Sequence, residues 1–225
     1  NSEIATVNGK TLKVGQMKIL DGKRVRILGF NHDELSEPST AYGSSTETGK
    51  AGISFEYVDF LISSAQMNSS NTNSGGWANT AIRGTLNGTT YNSLSIKNSI
   101  KKVKKDYIPT YNVATTQQAN DYLWLLSCGE IWNNGYNGGL TRGNAIVTEG
   151  KQYKYYKMNL GSTNYDTVTD LTKKPNVSNS KSWWLRSPLA MDESYFSYVS
   201  TRGNELGDGC YNASIGLAII PGFSI

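Results

Sequence analysis

Alternating polar and apolar residues open the chain and are interrupted by two glycine-containing turns. Short alternating stretches lie on both sides of Asn8-Gly9, and Asp21-Gly22 precedes the apolar stretch of residues 24–30. Alternation places every second side chain on one face of a strand. Asn-Gly and Asp-Gly supply the left-handed backbone that a two-residue hairpin turn needs. The pattern therefore predicts β-hairpins within the first 30 residues.

The middle of the chain mixes a strand pattern with a helical one. Residues 53–63 are rich in β-branched and aromatic residues and predict one buried strand. Residues 77–94 place apolar side chains three to five positions apart, with Thr80 or Asn79 as the N-cap, which predicts a helix. Residues 115–127 begin polar and end apolar in the manner of a strand. These mixed periodicities predict the α+β class.

The composition agrees with a folded protein that is rich in sheet and loop. Asn, Ser and Thr account for 67 of the 225 residues, and they favour turns and strand surfaces over helix interiors. The 14 tyrosines and five tryptophans need a core or a binding surface to cover their rings, which argues against disorder.

The charge pattern argues against a nucleic-acid partner. The net charge is +4, and the densest basic run contains five lysines between Lys97 and Lys105. Ile100 and Val103 lie three positions apart within this run, so we expect a short amphipathic element with a solvated lysine face. A nucleic-acid-binding stripe would add arginines and raise the pI.

Groups that could act in catalysis or bind metal are sparse. The single histidine, His32, lies in a polar loop and is predicted to be a surface residue. Cys128 and Cys210 fit no short metal or redox spacing, and they form either one disulfide in an oxidising compartment or two separate, partly buried thiols. The Glu-Pro-Ser sequence at Glu37 and the Trp-Asn-Asn sequence at Trp132 do not match calcium-dependent lectin motifs. We expect no cofactor, no metal and no enzymatic activity.

The chain contains no apolar run near the roughly 18 residues that a membrane-spanning helix requires. It begins at Asn1 and not at a methionine. We therefore expect an extracellular or cell-surface portion of a protein, with its signal or anchor outside this sequence.

Four sequence landmarks follow one another in order. They are a Leu-Asn-Gly step within residues 77–94, Leu-Leu-Ser followed by Glu-Ile at residues 125–131, residues 152–157, and Trp-Trp-Leu-Arg-Ser-Pro at residues 183–188. From about residue 10 to the end, this order resembles DUF6273, a domain family of bacterial surface proteins whose function is unassigned. Ala218 stands where members of the family usually have an arginine, so any salt bridge made by that arginine is missing.

The sequence is also similar, more distantly, to the C-type-lectin-like folds of formylglycine-generating enzymes and of binding proteins diversified by retroelements. This resemblance implies one C-type-lectin-like domain over residues 1–225, with a twisted antiparallel sheet, short helices and extensive loops. It also implies that the N- and C-terminal strands lie close together.

The resemblance implies a non-enzymatic, adhesin-like domain that binds an unidentified protein or glycan on another surface. Two other functions stay open, namely a structural tip or stalk subunit of a pilus-like fibre and an oxidase of the formylglycine-generating type. An imperfect repeat of the codons for residues 182–225 beside a reverse transcriptase would identify the variable protein of a diversity-generating retroelement. Without such a repeat the chain is an ordinary adhesin.

The segment between residues 188 and 215 is the predicted ligand-binding region, because Tyr, Asn, Ser and Gly are the residues that recognition loops favour. The alternative is a solvent-exposed loop with no role in binding. The candidate ligand-binding residues are Asp192, Glu193, Tyr195, Arg202, Asn204, Asp208, Tyr211 and Asn212. Beneath them, Trp183 and Trp184 are predicted to be core residues, and Arg186 is predicted to cap loop carbonyls or to pair with a buried acid.

Overall fold

The computed structural model of the protein describes residues 2–37, 49–113, 115–132, 149–160, 181–189, 192–201 and 210–225, and the backbone of 141–142 and 145–146. The strands are β1 (Ile4–Val7), β2 (Lys10–Lys13), β3 (Met17–Leu20), β4 (Lys23–Phe30), β5 (Ile53–Tyr57), β6 (Ile62–Ala65), β7 (Val103–Tyr107), β8 (Gln117–Asp121), β9 (Trp124–Leu125), β10 (Thr141–Arg142), β11 (Ala145–Ile146), β12 (Trp183–Pro188), β13 (Tyr195–Val199), β14 (Cys210–Asn212), β15 (Leu217–Ile219) and β16 (Pro221–Ser224). The α-helices are α1 (Ala81–Thr85), α2 (Tyr91–Ser93), α3 (Cys128–Trp132) and α4 (Lys154–Leu160).

The two predicted hairpins are present at the N-terminal end. Strands β1 and β2 pair around Asn8 and Gly9, whose φ angles are 49° and 73°. Strands β3 and β4 pair around Asp21 and Gly22, whose φ angles are 48° and 76°. Consecutive positive φ values at the two central residues are the signature of the turn that Asn-Gly and Asp-Gly favour.

Two five-stranded sheets and a two-stranded ladder organise most of the described chain. The first sheet has the order β3-β4-β5-β16-β9 and is antiparallel throughout. The second has the order β14-β13-β12-β15-β6, in which only the β12–β15 pair is parallel. Strands β7 and β8 form a separate antiparallel ladder. The C-terminal β16 thus lies in the same sheet as the N-terminal β3 and β4, one strand away from β4.

The prediction of one continuous strand over residues 53–63 is wrong. Strand β5 belongs to the first sheet and β6 to the second. Between them the Asp59 carboxylate accepts hydrogen bonds from the Arg24 backbone N–H at 2.7 Å and from its guanidinium at 2.6 Å. The Leu61 N–H then donates to the Ile219 carbonyl at 3.0 Å. These bonds hold the chain as it passes from one sheet to the other.

The helical prediction for residues 77–94 holds, but the helix is divided. A 3₁₀ turn (Gly76–Asn79) leads into α1, and a π-helical turn (Leu86–Thr90) leads into α2. The Thr80 side chain is the N-cap of α1 and accepts a hydrogen bond from the Arg83 N–H at 3.3 Å. The predicted N-cap is therefore correct.

One large hydrophobic cluster contains residues of both five-stranded sheets and of the helical segments. All five tryptophans belong to it, and each is at most 1% exposed. Such rings bury about 150–250 Å² each, so they contribute heavily to the core. The chain has the predicted α+β class. In the part of the chain that the structure describes, no helix combines the length and hydrophobicity needed to cross a bilayer.

Candidate functional site

Strands β13 and β14 carry three of the eight predicted ligand-binding residues, and two more, Asp192 and Glu193, lie just before β13. In their antiparallel register, Tyr195 lies opposite Asn212 on one face of the strand pair, and Tyr211 lies opposite Phe196 on the other face. We call the following set the recognition surface: Asp192, Glu193, Tyr195, Tyr211 and Asn212. The other three predicted residues lie outside the described part of the chain: Arg202, Asn204 and Asp208.

Tyr211 is the most prominent side chain of the recognition surface. It is 43% exposed, and its ring stacks on Tyr198 with a centroid distance of 4.7 Å and an interplanar angle of 19°. Tyr198 itself is only 6% exposed. The buried ring therefore supports the exposed one and leaves a flat aromatic face towards solvent.

The backbone beneath the recognition surface is fixed by Asn73, which is fully buried. Its side-chain amide donates to the carbonyls of Asp192 at 2.8 Å and Tyr195 at 3.0 Å, and its backbone N–H donates to the Glu193 carbonyl at 2.6 Å. The Asp192 carboxylate also accepts a hydrogen bond from the Ser194 N–H at 2.7 Å. This segment is thus ordered by the protein itself, while the side chains of Glu193 and Tyr211 stay exposed.

The three predicted scaffold residues on β12, namely Trp183, Trp184 and Arg186, are all fully buried. The Trp184 indole N–H donates to the Ala65 carbonyl at 3.0 Å and so ties β12 to β6. Strand β12 pairs directly with β13. The strand that carries Tyr195 therefore rests against a strand whose large side chains are locked in the core.

Arg186 makes both kinds of contact that the sequence offered as alternatives. Its guanidinium donates to the carbonyls of Asp106 at 3.0 Å, Leu125 at 2.8 Å and Glu149 at 2.9 Å. It also forms an ion pair with Glu130 at 2.6 Å. Burial alone would lower the pKa of Arg186, but the Glu130 carboxylate raises it above its ordinary value, so the side chain stays charged.

A second buried cation, Lys105, extends this network in a way the sequence did not predict. Its ammonium group contacts Glu130 at 2.5 Å, Asp33 at 2.8 Å and the Tyr153 hydroxyl at 2.9 Å. It also lies 4.4 Å from the centroid of the Trp124 ring. Lys105 is 2% exposed, so the predicted solvated lysine face is wrong at this position. The alternation of β7 turns Lys105 inward with Val103 and Tyr107.

The acids of this network are ionised. Burial alone would raise the pKa of Asp33, but Lys105 and hydrogen bonds from Lys105 and Ser54 hold it well below its usual range. Burial likewise opposes ionisation of Glu130, and Arg186 and Lys105 outweigh it and lower the pKa. Two carboxylates therefore balance the two cations Lys105 and Arg186, which gives a neutral buried network.

Glu149 and Tyr153, which border this network, behave in the opposite way. Burial raises the pKa of Glu149, although Arg186 and hydrogen bonds partly oppose the shift. Burial and the neighbouring acids raise the pKa of Tyr153 well above its ordinary value, so its hydroxyl stays a donor and donates to Asp33 at 2.9 Å.

A polar pocket of about 240 Å³ opens above the buried network. Three members of the network, Asp33, Lys105 and Glu130, form part of its lining. The rest of the lining is His32, Glu34, Lys50, Lys104, Asp106, Gln118, Gly150 and Lys151.

The prediction that His32 is a surface residue is wrong. His32 is partly buried. Its ring centroid lies 4.1 Å from that of Tyr153, and its Nε2 atom lies 3.1 Å from the Lys151 carbonyl oxygen. Burial, more than any charge nearby, lowers the pKa of His32. The imidazole is therefore a neutral wall of the polar pocket near pH 7.

The described lining of the polar pocket offers charged and hydrogen-bonding groups to a polar ligand. The Lys105 ammonium directs its three hydrogens to Glu130, Asp33 and Tyr153. Among the described residues, no group of three or more His, Cys, Asp or Glu is arranged to hold a metal ion. Cys128 is buried at the start of α3, and the Cys210 side chain lies outside the described part, so the pairing of the two cysteines stays a prediction.

The fold and these sites define a mixed α+β domain whose described part carries an exposed aromatic surface and a polar pocket. The chain belongs to the family described as Domain of unknown function (DUF6273), whose model matches residues 48–225. The match begins later than the predicted start near residue 10, so the N-terminal hairpins precede it. No curated protein and no solved structure is significantly similar to the chain.

Proposed function

We propose that this DUF6273 domain is a non-enzymatic, extracellular ligand-binding module of the C-type-lectin-like type, which binds a protein or glycan on another surface through the recognition surface. The observation that carries the proposal is the exposed ring of Tyr211, which stacks on the buried Tyr198. A supported, exposed aromatic face suits a sugar ring or a peptide.

The rigidity of the strands beneath Tyr211 supports the same proposal. Tight binding is favoured when the protein loses little conformational freedom on forming the complex. Asn73 and the buried residues of β12 hold the backbone of residues 192–195 in place before any ligand arrives. Exposed side chains on such a base can vary without unfolding the domain.

The test is a glycan and peptide array probed with the wild type and with a variant that combines Tyr211→Ala and Asn212→Ala. We expect the variant to lose binding to the ligands that the wild type recognises. Tyr122→Ala is the matched control, because Tyr122 belongs to a second stacked pair, with Tyr91, at 4.1 Å and 11°. The proposal is wrong if the folded double variant binds as well as the wild type, or if the control loses binding equally.

A further inference from the structure

We propose that the polar pocket binds a small carboxylate, of the size of a single sugar acid or amino acid. This site goes beyond the proposed function, because the polar pocket and the recognition surface share no residue. The pocket volume of about 240 Å³ lies just below the range of drug-sized ligand sites, which start near roughly 300 Å³. A compact ligand is therefore the appropriate class.

The charge of the ligand follows from which groups in the polar pocket are already engaged. Asp33 and Glu130 are neutralised by the buried cations, and Asp106 accepts a hydrogen bond from the Gln118 amide at 2.9 Å. The lysines at the opening of the polar pocket, which we call the rim, are not engaged in this way. Among the residues that the structure describes, the ammonium groups of Lys50, Lys104 and Lys151 form no ion pair.

These three lysines outnumber the two acids at the rim, Glu34 and Asp106. The strand-like bridge between Glu34 and Lys50 places these two side chains next to each other, so Glu34 offsets Lys50. Lys104 and Lys151 are left as the cations that a ligand would meet. An anion there gains charge-assisted hydrogen bonds, whereas a cation would meet a rim with one more positive than negative side chain.

The floor and walls favour a carboxylate that also carries hydroxyl or amide groups. The Gln118 amide, the neutral His32 ring and the Asp106 carboxylate offer donors and acceptors around the rim lysines. Below them Asp33 and Glu130 are paired with Lys105 and Arg186, so the buried ion pairs do not add a net negative charge that would repel an anion.

The experiment is an NMR and calorimetric titration of the protein with glucuronate, with glutamate and with glucose. We expect at least one of the two acids to bind and to shift the amide signals of His32 and Lys151, while neutral glucose does not. Binding of glucuronate alone identifies a sugar-acid site, and binding of glutamate alone identifies an amino-acid site.

A double variant tests the rim lysines. Lys104→Met with Lys151→Met should weaken acid binding at least about ten-fold, since each lost charged hydrogen bond is worth that much. Lys97→Met with Lys102→Met is the matched control, because neither residue lines the polar pocket, and it should retain the wild-type affinity.

Two results would overturn the proposal. One is the failure of both acids to bind, and the other is binding that the rim variant leaves unchanged. Tyr211→Ala should not alter acid binding, so failure at the recognition surface and failure at the polar pocket are distinguishable.

Discussion

Replacing Trp184 by alanine tests whether β12 is the rigid base of the recognition surface. The indole is fully buried, and its N–H is bonded to the Ala65 carbonyl at 3.0 Å. The substitution removes roughly nine heavy atoms of the indole side chain from a packed core and leaves a cavity. It also removes the hydrogen bond that joins β12 to β6.

The expected cost is about 3–5 kcal/mol, which is the range for Trp→Ala substitutions in protein cores. For a chain of this size, each kcal/mol lowers the Tm by about 2–4 °C, so the Tm should fall by about 6–20 °C. Differential scanning calorimetry measures this shift, and urea unfolding with an unchanged m value would show that the native state itself lost stability.

Tyr211→Ala is the matched control, because Tyr211 is 43% exposed and loses mainly its stacking on Tyr198. Such a pair contributes about 0.5–1.5 kcal/mol, so the Tm should change by only a few degrees. The division into scaffold and surface is refuted if Trp184→Ala costs less than about 1 kcal/mol. It is refuted equally if Tyr211→Ala unfolds the domain as readily as Trp184→Ala.

Three further predictions follow from the buried charges and the glycines. Glu130→Gln should cost about 3–5 kcal/mol in urea unfolding because it leaves two buried cations short of charge. Glu149→Gln should cost less, because burial raises the pKa of Glu149 and so already opposes its charged form. The pKa of Glu130 is lower in the folded than in the unfolded state, so the stability that its carboxylate contributes is complete above about pH 4.3 and is lost as the pH falls through the folded pKa. In thermal melts from pH 7 to pH 3, the Tm should therefore fall less for Glu130→Gln than for the wild type. Gly76 has a φ of 56°, and a Cβ there would lie 2.0 Å from the Ile108 carbonyl oxygen, so Gly76→Ala should lower the Tm clearly. Gly84 on α1 has open space around the position of a Cβ, so Gly84→Ala should raise the free energy of unfolding by up to about 1 kcal/mol.

Local sequence signals were sufficient for several elements of the fold. The Asn-Gly and Asp-Gly pairs predicted both hairpins because the turn chemistry acts within four residues. Thr80, one of the two predicted N-caps, is the one observed, and this too is a local signal, since its partner is the N–H three residues later. The burial of Trp183 and Trp184 followed from the size and hydrophobicity of their side chains.

Features that depend on distant partners were missed. Lys105 reads as one of five lysines in a basic run, but its partners Asp33 and Tyr153 are 72 and 48 residues away in the chain. The alternation of Val103, Lys105 and Tyr107 along β7 is the one local signal that could have placed it on the inward face.

The break between β5 and β6 was missed for a related reason. The residues on both sides favour strands, so propensity alone predicts continuity. The break is set by the pairing of Asp59 with Arg24, which is 35 residues away. The polar pocket depends in the same way on contacts between separate segments, and its residues carry no shared motif.

The most direct test of the proposed function is a calorimetric titration of the strongest array ligand into the wild type and into the combined Tyr195→Ala, Tyr211→Ala and Asn212→Ala variant. Circular dichroism of both proteins must first show the same fold and a Tm within a few degrees. If the recognition surface binds the ligand, the variant should lose at least about ten-fold in affinity, since aromatic contacts at the centre of an interface carry much of its binding energy. An unchanged Kd in the folded variant would contradict the account and place the ligand elsewhere on the domain.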